Sequence, residues 1–313
     1  MSLTAACVAV TSPPVFPTYN ATYRPPPSTG TAPRLPTTSS PQMPPKPSVR
    51  APDRTAILRA ASLALRSNSV EINRLDHDLY RFFRLSDPSN PDAFCVLKCP
   101  PASNSRLLRD EHDRLSTESY ALQLLARRKV VPQIQHPALL DHQATSFTLV
   151  GPTNGIIVSD LDSPLSPSRR RSLDRNIGQH IRHLSTLTNP TFGSLQRPQH
   201  RSWARCFASL LLDAIRDAED GLVSIPYGEV RDQLKRHWDC LDEVEEARLV
   251  VVELPSDGIV FDERTGEVRG LVDYGSAMWA DPVFSDCFVR ASEGFMEGYG
   301  SVDGEGARAR RLL

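Results

Sequence analysis

RLVVVELPSDGIVFDERTGEVRGLVDYGSAMWADPVFS, residues 248–285, is the stretch on which the reading of the chain turns. Two β-branched runs, Val250 to Val252 and Ile259 to Phe261, flank the polar break Glu253–Leu254–Pro255–Ser256–Asp257–Gly258. A third run, Val268 to Val272, follows Thr265–Gly266 and delivers Asp273 straight into Tyr274–Gly275. This order predicts strand, loop, strand, tight turn, strand. Each loop end sets a carboxylate beside a strand that must be buried. One such carboxylate is an ordinary solvated turn residue. Several in succession also suit the binding of ions.

Outward from this stretch, composition narrows the options. The 313 residues are enough for one two-lobed domain or two small ones. A net charge of −1 gives no electrostatic reason to expect nucleic acid or an anionic membrane as partner. The six cysteines form no C-x-x-C pair and no metal-ligand spacing, and Cys95 and Cys99 read as small core residues on one strand face. No run approaches the length of a membrane span, and Leu3 to Val10 lacks the basic region of a signal peptide. The expected setting is reducing and cytoplasmic.

Residues 1–52 are rich in Pro, Ser and Thr and hold no acidic residue, so they cannot bury enough apolar surface to offset chain entropy and are expected to be disordered. Asp53 then reads as the N-cap of a helix through Arg66. Strands are predicted at Val70 to Leu75, Leu79 to Leu85 and Ala93 to Lys98, the first two joined by Asp76–His77–Asp78. A long helix is predicted from Arg106 to Arg128, with Glu118 near the face of Leu115, Leu122 and Leu125. Lys98, at a strand end, is on its own either a surface charge or an anion anchor. Further strands are predicted at Val130 to Ile134 and Phe147 to Pro152. Helices follow from Leu173 to Leu187, from Trp203 to Leu222 and from Gly228 to Glu246. Trp203, Phe207 and Trp238 read as core. His180, His183 and His237 read as helix-surface or satisfied core residues, and Arg169–Arg170–Arg171 as a solvated helix start. No serine sits at a G-x-S-x-G elbow.

LVDYGSAMWADPVF, residues 271–284, resembles the DFG…WGDP segment of the aminoglycoside phosphotransferase and choline kinase family, especially its fungal branch. The resemblance extends over CVLKCPP, RLLRDEHDRLSTESYALQLL, FTLVGPTNG, FGSLQ and RDAEDGLVSIPYGEV, covering about residues 55–313. It implies an α+β, two-lobed protein-kinase-like fold. The N-lobe, an antiparallel sheet with one long helix, would be 53–150, and a mostly helical C-lobe 151–313, with the catalytic-loop region at 248–285. The resemblance implies further C-terminal helices, so the ending reads either as a truncated gene model or as true loss of part of the substrate-binding lobe, which would leave a folded remnant without ligand.

The resemblance also implies roles. Lys98 holds nucleotide phosphates, Glu118 fixes that lysine by an ion pair (Glu111 being the fallback partner), and Asp273 holds Mg²⁺. The backbone of FTLVGPTNG matches the hinge that binds adenine, although its glycine and proline equally suit a plain turn. The family's catalytic loop runs, by residue type, His-Gly-Asp-x-x-x-x-Asn. Laid on this chain its positions hold Val251, Val252, Glu253 and Gly258. Glu253 thus stands where the base belongs, one methylene longer than aspartate, and Gly258 has no side chain for a second Mg²⁺, whose place water or Asp257 can fill. The phosphate-covering hairpin has no glycine and carries two acids. Two readings follow. One is an impaired ATP- and Mg²⁺-dependent phosphotransferase acting on an unidentified small-molecule hydroxyl. The other is a pseudokinase that binds nucleotide or a partner without turnover.

Overall fold

Alternation along one strand sets the layout of the N-terminal half. The computed structural model describes residues 54–75, 80–101, 106–128, 138–139, 148–161, 164–289, 291–302 and 306–311. All belong to one compact unit, Pro47–Leu313. The expected disordered segment and its Asp53 cap, the turn at 76–79 and the strand at Val130 to Ile134 lie outside the described residues.

Helix α1 (Arg54–Leu65) precedes strands β1 (Glu71–Leu75), β2 (Arg81–Asp87) and β3 (Asn90–Cys99). Helix α2 (Arg114–Arg128) and strands β4 (Ala138–Leu139) and β5 (Thr148–Asn154) follow. The five strands form one antiparallel sheet in the order β1-β2-β3-β5-β4. Successive side chains on β3 point to opposite faces. Cys95, Leu97 and Cys99 therefore pack with Ile57, Ala60 and Ala61 of α1. Phe94 and Val96 pack with Ala121, Leu122 and Leu125 of α2. Each large apolar side chain so buried contributes about 1.5–3 kcal/mol. Lys98 shares the parity of Phe94 and Val96, which sends it to the α2 side.

The rest of the chain comprises β6 (Ile156–Ile157), α3 (Pro167–Leu184), β7 (Thr188–Asn189), β8 (Gly193–Ser194), α4 (Trp203–Asp220), α5 (Tyr227–Arg236) and α6 (Trp238–Asp242). It continues with β9 (Ala247–Val251), β10 (Ile259–Phe261), β11 (Val268–Leu271), β12 (Ala277–Ala280), α7 (Glu293–Tyr299) and α8 (Ala307–Arg310). Serine side chains cap three of these helices: Ser166, Ser202 and Ser292 accept from the N–H groups of Arg169, Arg205 and Phe295. No helix among the described residues is long and apolar enough to cross a membrane.

Strand β9 pairs with β7 and β12, whereas β10 pairs with β11 and β6. The polar break at 252–258 is thus a crossing between two small sheets. The β10–β11 turn closes through the Asp262 carboxylate, which accepts from Arg264 and Thr265 N–H, with Gly266 at φ 73°.

Several predicted boundaries move. The helix expected from Arg106 begins at Arg114, preceded by a 3₁₀ turn at Arg109–Glu111. Here the Glu111 carboxylate turns back to accept the Leu108 N–H, a local bond that competes with helix. The helix expected over 228–246 is broken at His237, which sits at φ −103°, ψ 13°. Trp203 and Phe207 are core, but Trp238 is 36 % exposed, because the break turns it away from the core. His180 has a buried Nε2 with no hydrogen-bond partner among the described residues, and burial, with His183 adding, pushes its imidazole down to about 4.

Candidate active site

The three residues taken for the nucleotide and metal site meet at one point. Lys98 Nζ lies 2.6 Å from Glu118 Oε1 and 3.0 Å from Asp273 Oδ1. Lys98 and Glu118 are each 1 % exposed, and Asp273 is 18 % exposed. Strand β3 supplies the lysine, α2 the glutamate, and the segment after β11 the aspartate. Strand pairing places Phe82 beside Lys98, and its ring lies 4.6 Å from Nζ.

The aspartate is set by its backbone. Val272 N–H donates to Gly258 O at 2.8 Å, and Gly275 N–H donates to Asp273 Oδ1 at 2.9 Å. Tyr274 N–H reaches Glu118 Oε1 at 3.4 Å, so the Asp273–Tyr274–Gly275 turn also touches the helix acid.

Two carboxylates share one ammonium, leaving an excess negative charge in a nearly dry place. Burial, and to a lesser degree Asp273, raise Glu118 to about 7 against the pull of Lys98. Burial works against the charge on Lys98, but Asp273 and Glu118 outweigh it and hold the ammonium above its ordinary value. Asp273 is the more exposed acid, and the excess charge suits a cation there. Mg²⁺ commonly uses one or two carboxylates together with substrate phosphates. Among the described residues no three His, Cys, Asp or Glu side chains gather as a protein-only metal site.

The loop residues are placed differently. Both carboxylate oxygens of Glu253 accept from Arg114: Nη1 to Oε2 at 2.6 Å and Nη2 to Oε1 at 3.1 Å. Its backbone is tied to Ser276, since Glu253 N–H donates to Ser276 Oγ at 3.0 Å and that hydroxyl donates back to Glu253 O at 3.2 Å. Leu254 N–H lies 3.1 Å from both oxygens of Asp286, whose pKa burial raises.

Gly258 adjoins Asp273. A Cβ built at Gly258 would lie 3.4 Å from Asp273 Cβ, in ordinary contact. Asp257 stands half-buried on the 3₁₀ turn Ser256–Gly258, with no ion pair among the described residues. Glu111 is not the partner of Lys98; its carbonyl instead accepts from Tyr80 Oη. Burial foremost, opposed by Arg114, pushes the Tyr80 phenol up to about 12.

Sequence reading missed Arg114, Tyr80, Ser276 and Asp286. Arg114 carried a signal: it lies one helical turn before Glu118, on the same face of α2. A separate groove of about 430 Å³ borders the other side of α2, lined by Tyr120, Leu124, Arg128, Gln196 and Trp279 among others, and includes none of the site residues.

The sequence profile of the phosphotransferase enzyme family, APH, matches residues 71–285. The chain belongs to this family. No curated protein matches the chain in sequence. Solved structures share the fold at low identity. A putative fructosamine-3-kinase from Haemophilus somnus 129PT has a TM-score of 0.54 at 16 % identity, over 82 % of this chain and 86 % of its own. One from Thermobifida fusca YX-ER1 gives 0.55 at 14 % identity, over 82 % and 87 %. The aminoglycoside phosphotransferase APH(3'')-Id from Streptomyces rimosus ATCC10970 gives 0.50 at 20 % identity, over 83 % and 95 %. The fold of this family member is therefore α+β and kinase-like. Its antiparallel sheet with α2 forms the lobe that carries Lys98 and Glu118, and the later half carries Asp273.

Proposed function

We propose that this family member transfers the terminal phosphoryl group of ATP to a hydroxyl of a small molecule, slowly because its catalytic loop is altered. The observation that carries the reading is the closed contact of Lys98 with Glu118 and Asp273. A buried ammonium held by two acids is costly unless the site has work for it. In this reading Lys98 binds phosphate oxygens and Glu118 keeps its Nζ in place. Asp273 holds Mg²⁺, with water or Asp257 at the ligand place that Gly258 leaves open. The ion, when bound, neutralises phosphate charge.

Glu253 is the residue at the base position. The substrate oxygen forms a bond to the γ-phosphorus as the bond to the ADP oxygen breaks, and the hydroxyl proton passes to the Glu253 carboxylate. Each carboxylate oxygen has a second lone pair, so the Arg114 fork leaves room for that proton. The extra methylene of glutamate moves the accepting oxygens by roughly an ångström, which costs on the order of 100-fold in rate.

A second reading is favoured by two observations: the arginine fork on Glu253 and the bare Gly258 beside Asp273. In it the chain binds nucleotide without turnover, as a pseudokinase. The two are separated by measuring phosphoryl transfer to a panel of hydroxyl compounds with the wild type and a Glu253→Asp, Gly258→Asn double variant. The proposed enzyme turns over slowly and gains on the order of 100-fold in the double variant. Activity in the double variant alone establishes the second reading. Failure of the wild type to bind ATP overturns both.

A further inference from the structure

We propose that Arg114 receives the terminal phosphoryl group of the bound nucleotide and supplies there the positive charge that position 258 cannot recruit through a second metal ion. The assignment rests on the nucleotide-binding reading above.

Arg114 is the first residue of α2 and lies four residues before Glu118. One helix face therefore grips both Lys98, through Glu118, and Glu253, through Arg114. The arginine stands against local electrostatics, because the N-terminal end of a helix disfavours cations. The first turn of α2 holds no acid, and the charge is balanced from outside the helix by Glu253 and Asp110.

Its side chain is only 16 % exposed. A guanidinium has five N–H donors in a planar fork. Glu253 takes two of them, and Asp110 lies at the long distance of 3.4 Å from Nη2. The Nε is buried and has no acceptor among the described residues. The Nη1 group keeps one N–H that Glu253 does not use, and that donor suits a phosphoryl oxygen.

Gly275 packs closely between the base of Arg114 and Asp273. A Cβ there would come within 3.2 Å of both Arg114 Cβ and Asp273 Oδ1. The base of Arg114 thus lies close to Asp273, and its charge, unlike that of lysine or histidine, is permanent. Glu253 fixes the guanidinium plane, so the residue at the base position also aims the arginine.

The test is calorimetric titration of the full chain with MgATP and with MgADP, which differ by the terminal phosphoryl group. Arg114→Met is expected to lower the ratio of ATP to ADP affinity by roughly 10- to 100-fold relative to wild type, while ADP affinity stays within about twofold. If Arg114→Met does not fold, as judged by its thermal transition, Arg114→Gln is read in the same way. An unchanged ratio, or an equal loss for both nucleotides, overturns the role of Arg114 and leaves the nucleotide reading standing. A wild type that binds neither nucleotide overturns that reading itself, and this assignment with it.

Discussion

At the scale of single residues, the site is governed by one ammonium between two carboxylates. Glu118, raised from near 4.5 to about 7, takes up a proton in the folded chain over a pH range where the unfolded chain has lost it. The stability this gives is fully present below pH 4.5 and is lost as pH rises through 7. Denaturant unfolding of the wild type is therefore expected to fall by up to about 3 kcal/mol between pH 4.5 and 8, relative to Glu118→Gln. A difference that stays flat contradicts the burial of this acid.

Lys98→Met removes the counter-charge. It is expected to abolish nucleotide binding and to cost about 3 kcal/mol or more in urea unfolding at pH 8, part of it recovered by adding Glu118→Gln. The family resemblance singled out these three residues, and the structure brings them together; strand and helix pattern alone left Lys98 as either a surface charge or an anion anchor. Arg114 was not read, because its partner Glu253 is 139 residues away and helix periodicity does not show which loop a face meets.

At the scale of elements, α3 and α7 pack so closely that side chains are excluded. A Cβ on Gly298 would lie 1.9 Å from Arg175 O, and one on Gly178 would lie 2.2 Å from Phe295 O. Arg171 and Arg175 of α3 then bridge to Glu297 of α7. Gly298→Ala is expected to lower stability by about 1–3 kcal/mol or more, measured by denaturant midpoint, because the clash is with backbone that cannot rotate away. A neutral substitution contradicts the packing. The apolar period of α3 was plain in the sequence, but its intimacy with α7 rests on glycines, which carry no periodic signal. Strand β12 was missed for a related reason. Ala277 to Ala280 is buried throughout, so it shows no alternation. Pairing with β8 and β9 makes it a strand, and local sequence does not.

At the scale of the whole molecule, the kinase-like fold was legible through the family resemblance, since strands and helices alternate in the later half and their order alone does not set two lobes. The fastening of the last helix was not. Arg310 of α8 meets Asp281 at 2.7 Å and Glu243 at 3.0 Å, with side chains 5 % exposed on Arg310 and 2 % on Asp281. Arg310→Ala strands a buried carboxylate and is expected to cost about 3–5 kcal/mol in unfolding free energy. A loss below about 1 kcal/mol contradicts this fastening.

The proposed function requires the lysine–glutamate pair and Asp273 to receive a nucleotide together with its cation. Titration of ATP into wild type and Asp273→Asn, each with and without Mg²⁺, tests this directly. Wild type is expected to bind ATP only with Mg²⁺, and Asp273→Asn to lose that dependence with at least roughly tenfold of the affinity. ATP binding indifferent to Mg²⁺ and to Asp273, or no binding at all, contradicts it.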